Sequence, residues 1–160
     1  MARAAVLIAA ALLLAGCGSK PKGPDSVLGK GSQVPYQSAE WAVVVNGHFA
    51  VAAHKVNGKW EADRTGDVKI DVLGPSATQP QAAYTQAGAE LSSKSPLIES
   101  AIWIDGAPVN LKGGGTAHHG TVYGWNATPL LPGEHMMVAY ARSATHATAV
   151  ARVFRVAKSS

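Results

Sequence analysis

Apolar residues follow two different rules along this chain. Ala4 to Leu14 is one unbroken apolar run behind the short cationic start Met1-Ala2-Arg3. From Tyr36 onward apolar residues come in short β-rich runs or at every second position. Asp67 to Leu73 alternates most cleanly: Val68, Ile70 and Val72 point one way, Asp67, Lys69 and Asp71 the other. Period-two alternation marks a half-buried strand, because successive side chains of an extended chain leave opposite faces. Gly74-Pro75 ends that strand. Ile98 to Asp105 puts Ile98, Ser100, Ile102 and Ile104 on one face, before a turn at Asp105-Gly106. Thr121 to Trp125, His135 to Arg142 and Thr148 to Val156 are predicted as further strands, with a corner at Leu131-Pro132-Gly133-Glu134. In the last of these, Arg152 shares parity with Phe154 and Val156, which predicts a bulge or a strand end.

Residues 36–66 read as a small β-meander. Trp41 to Val45 and His48 to Val56 are β-rich runs, the first followed by Asn46-Gly47, the second by Asn57-Gly58 and Lys59-Trp60-Glu61. Asn-Gly between apolar runs signals a hairpin, because a type I′ turn needs positive φ at both central residues. Gln81 to Ser92 fits two elements. Ala83, Thr85, Ala87, Ala89 and Leu91 alternate as in a strand, while Ala83, Ala87 and Leu91 would also share a helix face. The strand is favoured, since Gly88 would cost a helix about 1 kcal/mol.

Gly18 to Pro35 has neither pattern. With four glycines, three prolines and several Ser and Lys, it cannot bury enough apolar surface to offset its ordering entropy, so residues 17–35 are predicted to be a flexible tether. A coil of that length has an r.m.s. reach of about 23 Å.

The cationic start, the apolar run and Leu14-Ala15-Gly16-Cys17 together resemble the signal peptide and lipobox of bacterial lipoproteins. The apolar run is too short for a membrane span, which needs about 20 residues. In that family a diacylglycerol is joined to the Cys thiol and the chain is cut before it. The resemblance therefore implies a signal peptide over residues 1–16, a covalent diacylglycerol on Cys17 and a place in the bacterial cell envelope. Two acyl chains give stable attachment where one is marginal. Position 18 is Gly. In lipoproteins of hosts with two membranes an Asp there marks inner-membrane retention, so the resemblance implies the outer membrane in such a host and otherwise the outer face of the cell membrane.

Composition narrows the rest. A chain of 160 residues with only 15% charged residues and 17 Gly suits one domain with a small extension. The net charge of +4 comes from scattered basic residues, not the stripe that a nucleic-acid partner requires. Cys17 is the only cysteine; once acylated it leaves no thiol for a disulfide or a nucleophile.

From Asp67 onward the chain resembles bacterial immunoglobulin-like and fibronectin-like β-sandwich domains. The resemblance is carried by Ile102-Trp103-Ile104-Asp105-Gly106, Leu131-Pro132-Gly133-Glu134-His135 and Phe154-Arg155-Val156, spaced as short antiparallel strands should be. It implies an all-β fold: an immunoglobulin-like antiparallel sandwich over residues 67–158, preceded by the meander and the tether. The Cys…Trp…Cys framework of antibody domains is lacking. In similar domains a His after the Pro-Gly corner points inward, which implies a ring nitrogen of His135 bonded to the corner backbone.

Catalytic signatures are missing. There is no G-x-S-x-G and no H-E-x-x-H; the one S-x-x-K, Ser19 to Lys22, lies in the tether. Asn126-Ala127-Thr128 matches a glycosylation sequon that carries no weight in a bacterial lipoprotein. His118, His119, His135 and Met136 have side chains that suit copper, although no close ligand spacing joins them. His48, His54 and His146 are read as surface or half-buried residues. The aromatic residues point elsewhere. If Ile102 and Ile104 face the core, Trp103 faces outward, and Tyr123 and Trp125 share one parity. Exposed aromatic faces stack on sugars or anchor proteins; alternatively, the meander covers Trp103. The expected function is a non-enzymatic binding or assembly module on a lipid anchor. It would hold an envelope protein or a cell-wall glycan, without nucleic acid and with no cofactor beyond the covalent diacylglycerol. The alternative is a periplasmic copper- or metal-handling lipoprotein.

Overall fold

The computed structural model describes residues 22–113 and 118–158. They form a 3-10 turn, Pro24–Val27, and twelve strands. Four make a first sheet: β1 (Gln33–Gln37), β2 (Trp41–Asn46), β3 (Phe49–Val56) and β4 (Lys59–Ala62), in that order. The others are β5 (Val68–Gly74), β6 (Gln86–Ser93), β7 (Glu99–Ile104), β8 (Ala107–Pro108), β9 (Lys112–Gly113), β10 (His119–Trp125), β11 (Gly133–Arg142) and β12 (Ala147–Val156). They divide into a second sheet, β5-β6-β10-β9, and a third, β12-β11-β7-β8. All strand pairings are antiparallel apart from an isolated bridge between Gln81 and Val156. Lettering β5 to β12 as A, B, C, C′, D, E, F and G, the two sheets read A-B-E-D and G-F-C-C′, the strand order of an immunoglobulin-like sandwich.

The third sheet is the middle layer. Ile102, Ile104, Met137, Ala139 and Phe154 on one side of it meet Val68, Ala87, Ala89, Leu91 and Val122 of the second sheet. Trp103, Val138, Tyr140, Ala147 and Ala149 on its other side meet Trp41, Val43, Val45 and Ala52 of the first. Hence β11 reads as an apolar run, Met136 to Ala141, with no alternation: a strand covered on both faces has no polar side. The meander is a packed third layer.

Several expectations shift. Residues 17–35 are not all tether. Pro24 is buried, β1 starts at Gln33, and the Asn46 amide donates to the carbonyls of Leu28 and Lys30, each at 3.2 Å. This N-terminal strap packs on β2 and β4. Ala42, Val44 and Ala53, which point away from the middle sheet, are buried. The first meander turn is centred on Gly47-His48, not Asn46-Gly47, because Asn46 pairs with Phe49 as a strand residue. Only the glycine of that turn has positive φ, whereas Asn57 and Gly58 both do, as type I′ demands. Gln81 to Ser92 contains a strand, but it begins at Gln86. Ile98 lies before β7 and is exposed. No bulge forms at Arg152: β11 and β12 pair without a shift from Gly133–Val156 to Arg142–Ala147. Arg152 stays half-buried on an edge strand, where a long stem can lie on apolar surface while the guanidinium reaches water.

Candidate functional site: an aromatic groove on the outer sheet

On β10, Val122 and Gly124 turn inward and Thr121, Tyr123 and Trp125 turn outward. Gly124 is required. A Cβ there would lie 2.5 Å from the Asn110 carbonyl oxygen and 2.7 Å from Val109 Cγ1. The strand can therefore pack beside the Val109-Asn110 crossing only without a side chain at this position. Tyr123 and Trp125 stand edge to face with ring centroids 6.4 Å apart, the arrangement that ring quadrupoles favour. They are 37% and 48% exposed, enough to leave ring surface for a partner.

Across the ladder, Gly88 of β6 lies opposite Tyr123 and Gln86 opposite Trp125. On β5 the register slips between Val72 and Gly74, so Leu73 and Gly74 both lie against Gly88. Leu73 is 58% exposed. Because Gly88 has no side chain, a shallow groove of about 190 Å³ runs between Leu73 and Tyr123, with Gln86 and Thr121 in its lining. An apolar floor with an amide and a hydroxyl at its edge fits a partly polar ligand. One end of this face is pinned by Asn126, which the sequence offered only as a sequon. Its buried amide accepts from the Thr85 N–H at 2.8 Å and donates to the carbonyls of Ala83, at 2.9 Å, and Thr128. The loops flanking Gln86 and Trp125 are thereby tied together. Its one legible sign was its place directly after an outward-facing Trp.

Trp103 does not belong to this face. It is only 6% exposed. Parity does turn it away from Ile102 and Ile104, but the meander covers it: its ring centroid lies 6.1 Å from that of Tyr36, and it shares a buried cluster with Trp41 and Val43. It is removed from the set of partner contacts.

The four metal-ligand candidates do not converge. His118 Nδ1 lies 3.3 Å from the Ser93 carbonyl, and Ser93 pairs with Val68. The Val68 carbonyl accepts from Thr148, which lies opposite Ala141. His118 and His119 are therefore level with Ala141, while His135 is six residues along the same strand, roughly 20 Å away at about 3.4 Å per residue. Met136, of opposite parity to His135, packs into the cluster under the meander. Among the described residues no group of three or more His, Cys, Asp or Glu could hold a metal. The copper set is corrected accordingly: its members lie at opposite ends of the sandwich.

Three of the histidines, His48, His135 and His146, clasp separate elements. His135 Nε2 donates to the Leu131 carbonyl and Nδ1 to Asp105 Oδ2, each at 2.6 Å. Burial works to lower its pKa, but the bonds to Asp105 and Leu131 and the Asp105 charge raise it on balance. His48 pairs with Glu134 at 3.4 Å, joining the tip of the β2–β3 hairpin to the start of β11. His54 stacks on Trp41. His146 Nδ1 lies 3.3 Å from Asp63 Oδ2, which also accepts the Ala147 N–H at 2.9 Å. Acid–base catalysis needs a ring nitrogen facing a substrate; His135 has both nitrogens occupied by the protein. Cys17 and the rest of the lipobox lie outside the described residues.

No protein-family model matches the chain, and no curated protein matches it.

Proposed function

We propose that the chain is a lipid-anchored, non-enzymatic binding module of the bacterial cell envelope, held by a diacylglycerol on Cys17. The outer membrane is its place if the host has two membranes; otherwise it is the outer face of the cell membrane. The observation that carries the binding half is the exposed Tyr123–Trp125 pair beside the Leu73–Gly88 groove. Ring faces flanked by Gln86 and Thr121 suit a cell-wall glycan, whose C–H faces stack on aromatics while its hydroxyls take hydrogen bonds; a protein strand is the other partner this face accommodates. The lipobox residues support the anchor half.

Sedimentation with purified cell-wall sacculi tests the reading. The full chain should co-sediment, and Tyr123→Ala/Trp125→Ala should lose at least tenfold in affinity while keeping its circular dichroism spectrum. Equal retention of the double variant would reject this face. No retention of the natural chain, with cross-links from Trp125 to an envelope protein, would move the partner from glycan to protein.

A further inference from the structure

The outer face of the first sheet, opposite the aromatic groove, has a composition of its own. Parity sends Trp41, Val43, Val45 and Ala52 to the middle sheet, and Phe49, Val51, Ala53 and Lys55 of β3 the other way. Trp60 lies opposite Lys55, so it shares that outward face. Phe49 is 75% exposed at the hairpin tip, and Leu28 of the strap lines the same shallow depression as Phe49 and His48. Lys55 Nζ sits 5.5 Å from the Trp60 ring centroid. Lys22, just before the strap, and Lys30, on it, are exposed. Acidic groups beside this face are Asp25, in the 3-10 turn, Glu40, whose carbonyl accepts the Lys55 N–H, and Glu134, which is paired with His48; Glu61 has inward parity.

Covalent geometry limits where this face can be. The six peptide steps from Cys17 to Gly23 span at most about 22 Å at about 3.6 Å each. From Pro24 the chain is packed on β2 and β4. A lipid on Cys17 therefore holds the first sheet close to the head groups, with much less freedom than a tether reaching to Pro35 would allow.

We infer that this face, with Phe49, Leu28, Trp60, Lys22, Lys30 and Lys55, docks on the bilayer that carries the acyl chains of Cys17. The inference rests on the lipid-anchor reading above. Phe and Trp suit the interfacial zone and the lysines suit anionic head groups. The sheets stack about 10 Å apart, so docking would hold the Tyr123–Trp125 groove roughly 20 Å farther out, facing the cell wall.

The test uses the full lipidated chain in phosphatidylcholine–phosphatidylglycerol vesicles whose acyl chains carry bromine near the head group. Bromine quenches only tryptophan that approaches the interface. Trp41 and Trp103 are buried between sheets, leaving Trp60 and Trp125 as reporters. Emission should be quenched at least twofold in the natural chain and in Trp125→Phe. Trp60→Phe should lose most of the effect. Phe49→Asp, a change at an exposed site, should at least halve the quenching. Quenching that survives Trp60→Phe, or none with an acylated chain, overturns the docking face alone. An intact mass lacking the diacylglycerol overturns the anchor reading, and this inference with it.

Discussion

His135 and Asp105 form a clasp between the start of β11 and the β7–β8 turn, with Nδ1 2.6 Å from Oδ2. The second ring nitrogen faces the Leu131 carbonyl, which can only accept. Both contacts are satisfied together only when the ring carries two protons. Asp105 also accepts the Met136 N–H at 2.9 Å through its other oxygen, and it occupies a positive-φ turn position.

The first prediction is a pH dependence. His135 has a raised pKa in the folded state, so its stabilising contribution is complete below the unfolded value of about 6.5 and is lost as pH rises through the folded value. Urea unfolding on the acid and alkaline sides of that window should show the midpoint falling as pH rises. Asp105→Asn should flatten this segment of the profile. An unchanged slope in Asp105→Asn would assign it to another group.

Asp63 has the opposite sign. Burial pushes its carboxyl up, but hydrogen bonds from Ala147, Thr65 and His146 bring it below its ordinary value. Its contribution is present above about 3.9 and lost as pH falls through the folded value. Asp63 lies in the connection between β4 and β5 and binds the start of β12, so it joins the meander to the sandwich. Asp63→Ala should cost roughly 1–3 kcal/mol, measured by urea unfolding at neutral pH, because it leaves the Ala147 N–H without its acceptor.

Trp103→Ala should destabilise the chain by roughly 3–5 kcal/mol, as expected when a buried aromatic is removed. It should leave sacculus binding of the folded fraction unchanged. Loss of retention without loss of stability would instead return Trp103 to the binding surface.

Two glycines separate fold from groove. Gly124→Ala forces a Cβ to 2.5 Å from the Asn110 oxygen and should cost about 1–3 kcal/mol, the usual range for overpacking. Gly88→Ala meets only ordinary contacts, at 3.5 Å from the Val122 oxygen and 3.6 Å from Tyr123 Cβ. It should therefore disturb stability far less than Gly124→Ala yet fill the floor beside Tyr123. Thermal melts with sacculus binding check the pair: Gly88→Ala should lose binding and keep its melting temperature.

The sequence alone determined what depends on neighbouring residues. A strand has a period of two, so the opposite facing of Trp103 to Ile102 and Ile104, and the shared side of Tyr123 and Trp125, follow from extended geometry. Asn57-Gly58 likewise makes its turn with two positive φ values, as the dipeptide demands. What covers each face was decided by tertiary structure, since burial depends on contacts between residues far apart in the chain. Parity turned both Trp103 and Trp125 away from the core between the second and third sheets, yet Tyr36 and the meander bury one and nothing described covers the other. The strap of residues 24–32 looked like tether because its apolar residues are sparse; its order comes from Asn46 and the back of the first sheet, which no local pattern shows. The histidines looked like one metal set by residue type, but the sandwich places His118 and His135 at opposite ends, because antiparallel strands return the chain to one end only after a full strand length.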